Sequence, residues 1–585
     1  MTAKKAKKKK KKSRKKLTEH QKEQNLHIKE IRKLFSNIGF ERIPGVDGKH
    51  YVYDGRKSEM DDVFYYENVI LFIEYTVGDP GTHLKEKKII YDKINADPSN
   101  YIKFLLAEDQ FSGLRAIFDK NILSKYSINQ LQVRILYASK RTIVREHKDL
   151  VQNVAYLDYP IVKYFESISK VIKKSTKYEF LHFLSLDFSN VGDNIKRSSR
   201  GTEDDFSGHI LPEEHSSFDE GYKIVSFYID AESLIKRAYV LRRDGWRNKE
   251  SISLYQRMFV AKKIKSMRKY LHEEQRVFIN NIIVTLPISE IKILDENGTE
   301  IAINAKGHFA NSSTRVQPTT IKISNKANII GIIDGQHRTY AYHEGDDVYE
   351  TTISKLRGIQ NLLITGILYP KNETEEKKIK FEAKLFLEIN ANQAGASTKL
   401  KYEIEYMMNP FSTNSISKYI INKLNESGPL GGFLEEYWFE KSKLKTSSII
   451  SFGLKPLVKL DGVDSLYALW SKPDKEQLKR GEDYALLNEY RTFCVEQLRN
   501  IFIGLSANLT SENWKSDRKS QDAVLNVTTI NGVINCLRLL IENDKTGDDK
   551  HYKSKFNGVS SFKFKKFKSS QYRKMGEELY QKYFK

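Results

Sequence analysis

The chain has 585 residues, too many for one hydrophobic core, so two to four domains are expected. Hydrophobic residues make up 39% of it, enough for ordinary packed cores, yet no apolar run reaches the length of a membrane span. Net charge is +23, and eleven of the positive charges (Lys4, Lys5, Lys7 to Lys12, Arg14, Lys15 and Lys16) fall in residues 1–16, leaving +12 for the rest.

No apolar stretch follows those lysines, so residues 1–16 read as a disordered polybasic tail rather than a secretory signal. Such an arm attracts polyanions through counterion release, without sequence preference. Residues 17–195 read as a first α/β domain. Leu17 to Ile38 has helical apolar spacing, and Gly39 to Gly55 is turn-rich. Ser58 to Tyr66 and Val69 to Val77 form two strands turned at Glu67 and Asn68, and Leu84 to Ile94 forms a helix. Strands at Gln132 to Ala138 and Asn153 to Leu157, with helices near Val144 and from Pro160 to Ser175, complete this part. Residues 196–221 are polar and acidic and read as a linker or loop. His209, Glu213, Glu214 and His215 within it do not share a helical face, and Pro212 interrupts them, so no metal site is expected there.

Residues 222–400 read as a second α/β domain. Strands are expected at Ile224 to Ile229, Asn281 to Leu286, Asn328 to Ile333 and Gln360 to Tyr369, with a basic helix at Tyr255 to His272 and another helix at Glu375 to Leu387. Residues 401–585 are mostly amphipathic helix. The two cysteines, Cys494 and Cys536, lie in apolar helical surroundings and read as small buried residues. A soluble, cytoplasmic protein follows as the expectation.

Two places carry chemistry. The first is the hairpin, where Asp61 starts one strand and Glu74 ends its partner, so the two carboxylates approach each other across the pair. Such a pair can share a Mg2+ or Mn2+ ion and direct water at a phosphodiester. Asp62 competes with Asp61 for the first role, and Glu30 is a further acid borne on a helix. The second is the run of Asp334, Gly335, Gln336, His337 and Arg338 (DGQHR), where an apolar strand ends, a glycine turns the chain and a helix starts. Free amides at a helix start favour anions, and His337 and Arg338 add donors suited to phosphate. A bland alternative is that Asp334 only caps the helix.

The DGQHR run and the residues after it, through Ala341, resemble the phosphate-gripping box of ParB-type CTPases and of sulfiredoxins. Gln336 stands where a sulfiredoxin keeps its reactive cysteine, which removes sulfinic-acid repair. The whole box is similar to that of the DGQHR-domain family, which includes DndB-like regulators linked to DNA phosphorothioation and proteins of bacterial modification and anti-phage defence clusters. Tyr255 to Arg257 and Phe386 to Gln393 are similar to other segments of that family, and the resemblance spans about Tyr222 to Leu540. It implies a ParB/sulfiredoxin-like fold and a nucleotide (ATP or CTP) or nucleic-acid ligand. Arg257, Asn281, Asn390 and Gln393 would line the pocket, and Lys262, Lys263, Lys265 and Arg268 would contact a DNA backbone. The first domain resembles the PD-(D/E)XK nuclease core. It departs from that pattern at Thr76, which stands where the lysine is expected, so Lys85 or Lys87 would have to return the ammonium from the next helix.

The expectation is a DNA-processing protein, acting on plain, modified or phage DNA with a metal-dependent endonuclease centre at Asp61 and Glu74. A non-catalytic DNA-binding regulator and a nucleotidase centred on DGQHR stay open beside it. Homo-oligomers or partner proteins of a defence system are further expectations, and no membrane partner is expected.

Overall fold

The computed structural model describes residues 17–197, 203–213, 221–240, 259–304, 308–309, 314–370, 373–391 and, apart from 403–404, 407, 438–439, 518–519 and 521, residues 402–585. The polybasic tail, Arg257 and Gln393 lie outside the described residues. The described residues within Met1–Val240 and Met258–Asn372 form one compact unit. The second unit contains Glu373–Lys585 together with Leu241–Arg257, and the latter segment lies outside the described residues.

The first unit begins with helix α1 (Glu19–Ile38). Thr18 and Gln21 close it with a reciprocal capping box, and Gly39, at φ 91°, ends it in the left-handed region. Its buried face (Ile31, Leu34, Phe35, Ile38) follows the three-to-four spacing seen in the sequence. Three short strands follow, β1 (Glu41–Ile43), β2 (Tyr51–Tyr53) and β3 (Arg56–Ser58), in the stretch the sequence presents as turn-rich. Strands β4 (Asp62–Tyr66) and β5 (Val69–Thr76) form the expected antiparallel hairpin. At its turn Glu67 takes φ 50°, and the buried Asn68 side chain donates to the carbonyls of Gln130 and Asn190.

Helices α2 (Pro80–Ala96) and α3 (Pro98–Ala107) carry the chain across to β6 (Gln132–Ser139), which pairs parallel with β5. Strand β7 (Ala155–Leu157) adds parallel to β6, giving a sheet ordered β1-β4-β5-β6-β7. Every residue of β5 is buried, as a strand covered on both faces requires. Helices α4 (Tyr159–Ile172) and α5 (Thr176–Phe183) follow, and α4 packs against α1.

The expectation of a linker at 196–221 is corrected for its central part, because residues Glu203–Ile210 are strand β8. Its sequence hides this because only Phe206 and Ile210 are buried, while its acidic residues face water. It pairs along its whole length with β13 (Gln317–Ser324) and at its end with β9 (Lys223–Asp230). With β10 (Ala238–Val240), β11 (Ile282–Pro287), β12 (Ile291–Leu294), β14 (Ile330–Asp334) and β15 (Asn361–Tyr369) it makes a sheet ordered β10-β14-β11-β15-β9-β8-β13-β12. The pairing is mixed: β14 lies antiparallel to β11 and parallel to β10, and β11 lies parallel to β15. Helices α6 (Ala231–Arg237), α7 (Ala261–Glu274), α8 (Gln336–Tyr340) and α9 (Glu350–Arg357) accompany this sheet.

The two α/β parts were expected as separate domains but belong to one compact unit. Lys177 of α5 is buried and paired to Glu344, beyond α8, at 2.6 Å, and Tyr178 donates to the same carboxylate. The second unit is helical, with α10 (Glu375–Ala391), α11 (Thr413–Glu426), α12 (Tyr484–Ser506), α13 (Val527–Glu542) and α14 (Tyr572–Tyr583) among its elements. Its core includes Leu498, Ile534, Leu537 and both cysteines, which are fully buried as expected. Among the described residues no helix is long and apolar enough to cross a membrane.

Candidate active site

The hairpin brings Asp61 and Glu74 together and separates them from Asp62. Successive strand residues face opposite ways, and here that alternation divides the acids into two functions. Asp62 is fully buried and accepts from Arg32 Nε at 2.7 Å, from Arg42 Nε and from the Tyr75 hydroxyl at 2.8 Å. Its carboxylate is committed to tying α1, β1 and β5 together, so it is removed as a candidate. Glu30 is likewise engaged elsewhere, with Lys140 at 2.8 Å and Lys163 at 3.8 Å.

Asp61 Oδ2 accepts the backbone N–H of Tyr75 at 2.8 Å, which holds the side chain beside the residue that follows Glu74. Burial, and then the negative charge of Glu74, push the Asp61 carboxyl up to about 6. Glu74 is itself buried, and Lys87 Nζ reaches its Oε1 at 2.7 Å. Lys87 comes from α2, which starts at Pro80 behind an Asp79 cap. Lys85 is exposed, two residues and about 200° away around the helix, so the choice between the two lysines falls on Lys87.

One residue was missed in the sequence. His83, one turn before Lys87, places Nε2 at 3.4 Å from Glu74 Oε1, and its Nδ1 lies 2.9 Å from the Tyr137 hydroxyl. The i, i+4 spacing of His83 and Lys87 toward a strand carboxylate was the available signal. A cleft of about 540 Å3 adjoins this group, lined by the β2–β3 turn with Arg56 and Lys57 and by Glu86, Lys87 and Ile90 of α2.

Among the described residues no group of three or more His, Cys, Asp and Glu side chains could hold a metal ion, so a divalent ion here would rest on Asp61 and Glu74. Two carboxylates suit Mg2+, which usually keeps several waters. The mutual repulsion of these two acids is a charge deficit that a cation would relieve, and the buried Tyr91 hydroxyl within electrostatic reach of both has no hydrogen-bond partner.

At the DGQHR box, Gly335 takes φ 95°, and a Cβ there would lie 2.9 Å from Ile282, so glycine is required on both counts. The helix that follows, α8, starts at Gln336 as expected and is five residues long, with Gly335 rather than Asp334 at its N-cap. Arg338 turns inward instead: its Nη2 donates to the Asn281 carbonyl at 2.9 Å and to Asp334 at 3.1 Å. Asn281 in turn donates to Thr365 at 3.0 Å. Asp334, Arg338 and Asn281 are therefore brought together in one polar group, within which the buried Arg338 Nε has no hydrogen-bond partner. His337 Nε2 accepts the Val260 N–H at 3.0 Å. Gln336 is 2% exposed, and neither polar atom of its amide has a partner. Asn390 lies in the last turn of α10, and its side chain, like Arg257 and Gln393, is outside the described residues.

Of the basic residues on α7, Lys262, Lys263 and Lys265 are exposed, whereas Arg268 is not. Its guanidinium is buried, bidentate to Asp347 at 2.8 Å, and also bonded to Glu350 and to the carbonyls of Ala341 and His343. Contrary to the expectation from sequence, Arg268 has no donor direction left facing water with which to contact a DNA backbone. The neighbouring His343 is driven down to about 3 by burial and by Arg268.

Compared with known proteins, the chain matches no family model, no curated protein and no solved structure.

Proposed function

We propose that this chain is a DNA-processing protein whose Asp61, Glu74 and Lys87 form a Mg2+- or Mn2+-dependent phosphodiester-cleaving centre of the PD-(D/E)XK type. The observation that carries the reading is the 2.7 Å contact between Lys87 and Glu74. It returns from α2 the ammonium that Thr76 lacks. The order of elements supports it too: helix α1, then the antiparallel run β1-β4-β5, then helices, then β6 parallel to β5.

A divalent ion bound between the carboxylates would polarise the scissile phosphate and activate water. Asp61, just before β4, and Glu74, on β5, hold that position, and the Asp61 bonds to Ile73 and Tyr75 fix their spacing. Lys87 offsets negative charge that grows on the phosphate as water attacks, a task for which an ammonium positioned in advance is suited. His83 and Tyr137 keep the Glu74 carboxylate oriented from the side of α2 and β6. Arg56 and Lys57, which line the cleft together with Glu59 and Glu86, are the groups that would attract the DNA strand. The DGQHR-bearing sheet domain is the nucleic-acid or nucleotide sensor, with the inward Arg338 knot as its rigid base.

The test is cleavage of plasmid and modified DNA with Mg2+ or Mn2+. Glu74→Ala and Lys87→Ala should each lower the rate by at least about 100-fold while DNA binding persists. Absence of both cutting and binding on every DNA tried would overturn the reading. Binding without cutting would assign the chain as a non-catalytic regulator, and ATP or CTP turnover that disappears in Arg338→Ala would move the chemistry to the DGQHR box.

A further inference from the structure

Helix α7 ends at Gln275, whose φ of 53° turns the chain sharply into the segment leading to β11. That segment and the helix enclose an open groove of about 810 Å3, with Ser266, Met267 and Tyr270 on one wall and Arg276 to Asn280 on the other. Its apolar content is unusual for a surface. Ile279 is 88% exposed and Tyr270 is 38% exposed. The Tyr270 ring stacks on Phe278, with centroids 5.5 Å apart and planes 22° apart. Phe278 in turn meets the fully buried Tyr342 edge-on at 6.1 Å, so the stack is anchored in the core rather than loose.

Arg276 lines the groove, and the helix and segment that form it are mainly positive. Residues 261–280 carry exposed Lys262, Lys263, Lys265, Lys269 and Arg276 against two acids, Glu273 and Glu274. Those acids reach Lys269 at 3.5 Å and Arg276 at 3.9 Å, long surface contacts that neutralise little. Arg268 on the same helix is already balanced by Asp347 and Glu350 and takes no part.

We propose that this groove binds an unpaired base of single-stranded or locally opened DNA. A part-exposed aromatic stack beside Arg276, on a helix that carries further exposed lysines, is the arrangement that holds a base by its face and the backbone by its charge. Ile279 stands beside the stack as an apolar wedge, the kind of side chain that separates neighbouring bases. Intact duplex offers phosphates to the lysines but no base face to Tyr270, so it gains nothing from the aromatic wall. Arg276 in the groove lining and the exposed lysines along the same helix supply the positive charge that a nucleic-acid backbone complements. The inference rests on the DNA reading above and deepens it, since it names the state of DNA that is recognised.

The experiment measures binding by the full chain to a fluorescein-labelled 20-nucleotide single strand and to a 20-base-pair duplex, by anisotropy. A 2-aminopurine placed in the single strand reports stacking directly. The parent chain should prefer the single strand and quench 2-aminopurine. The double variant Tyr270→Ala, Ile279→Ser should weaken single-strand binding by about tenfold or more, leave duplex binding within about twofold, and abolish the quench. Tyr270→Phe keeps the ring and should behave as the parent does. Loss of equal size on both DNAs, no loss on either, or a Tyr270→Phe variant as weak as the alanine form would overturn the proposal. So would a parent that sediments as a dimer and becomes monomeric in the double variant with single-strand affinity unchanged, because the groove would then hold a second copy. A parent that binds duplex alone refutes this inference only, whereas one that binds neither DNA refutes the functional reading with it.

Discussion

Replacing Asp61 by Asn should make the protein more stable at neutral and alkaline pH. The Asp61 carboxyl is pushed from 3.8 to about 6, by burial first and by Glu74 second. At about 1.4 kcal/mol per tenfold change, ionising it in the folded chain costs about 3 kcal/mol, and partial contact with water reduces that to about 2 kcal/mol. The folded pKa lies above the unfolded one, so this group's stabilising contribution is complete below pH 3.8 and lost as pH rises through 6. Asparagine carries no charge and can still accept the Tyr75 N–H. Asp61→Asn should therefore raise Tm by a few degrees at pH 8 and change it little at pH 4. Millimolar Mg2+ should raise the Tm of the parent at pH 8 but not that of the variant, because the ion relieves the same repulsion. Thermal denaturation of the full chain at both pH values, with and without Mg2+, provides the measurement. A variant less stable than the parent at pH 8, or equally stabilised at pH 4, would refute the view of Asp61 as a strained, cation-seeking carboxylate.

Other substitutions test the neighbouring assignments. Asp62→Ala leaves the Arg32 and Arg42 guanidinium groups without their shared carboxylate and should destabilise by about 3–5 kcal/mol, seen as a large fall in the denaturation midpoint. Arg268→Gln should be comparably damaging to folding, whereas Lys263→Gln should leave stability unchanged, weaken DNA binding modestly and reduce its salt dependence by about one contact. Gly335→Ala forces a left-handed backbone and a contact with Ile282, and a loss of about 1–3 kcal/mol is expected in denaturant titration. Gln336→Met removes a buried amide that has no partner. It should be neutral or stabilising by about 1 kcal/mol in the free chain, and clear destabilisation would mean that bound water or ligand satisfies the amide.

The sequence was most legible where one element carries its own pattern. The β4–β5 hairpin was readable because apolar residues flank a short polar turn, and Asp61 and Glu74 follow from that pairing. The lysine was narrowed to two, and helix phase then separates Lys87 from Lys85. Partners distant in the chain were not readable. Arg268 looked like one more cation on a basic helix, because Asp347 and Glu350 lie about 80 positions away. Asp62 looked equivalent to Asp61 until strand alternation and Arg32 divided them. Strand β8 carries no strand signal in sequence because its acidic, half-exposed residues need β13 beside them to become a strand. Whether Arg338 faces a phosphate or folds back on Asp334 depends on Asn281, a contact no local pattern encodes.

The Lys177–Glu344 pair bears on how this protein could be divided. Lys177 is buried against Tyr66 and Tyr178, and burial pulls its ammonium down while Glu344 opposes that pull. A fragment ending near residue 195 would keep this lysine and discard its carboxylate, exposing a face that was interior. The two α/β parts are thus not exchangeable cassettes: a chimaera joining this hairpin module to another sheet would need a replacement for Glu344, six positions beyond Arg338, before the Asp61-bearing part could fold as it does here.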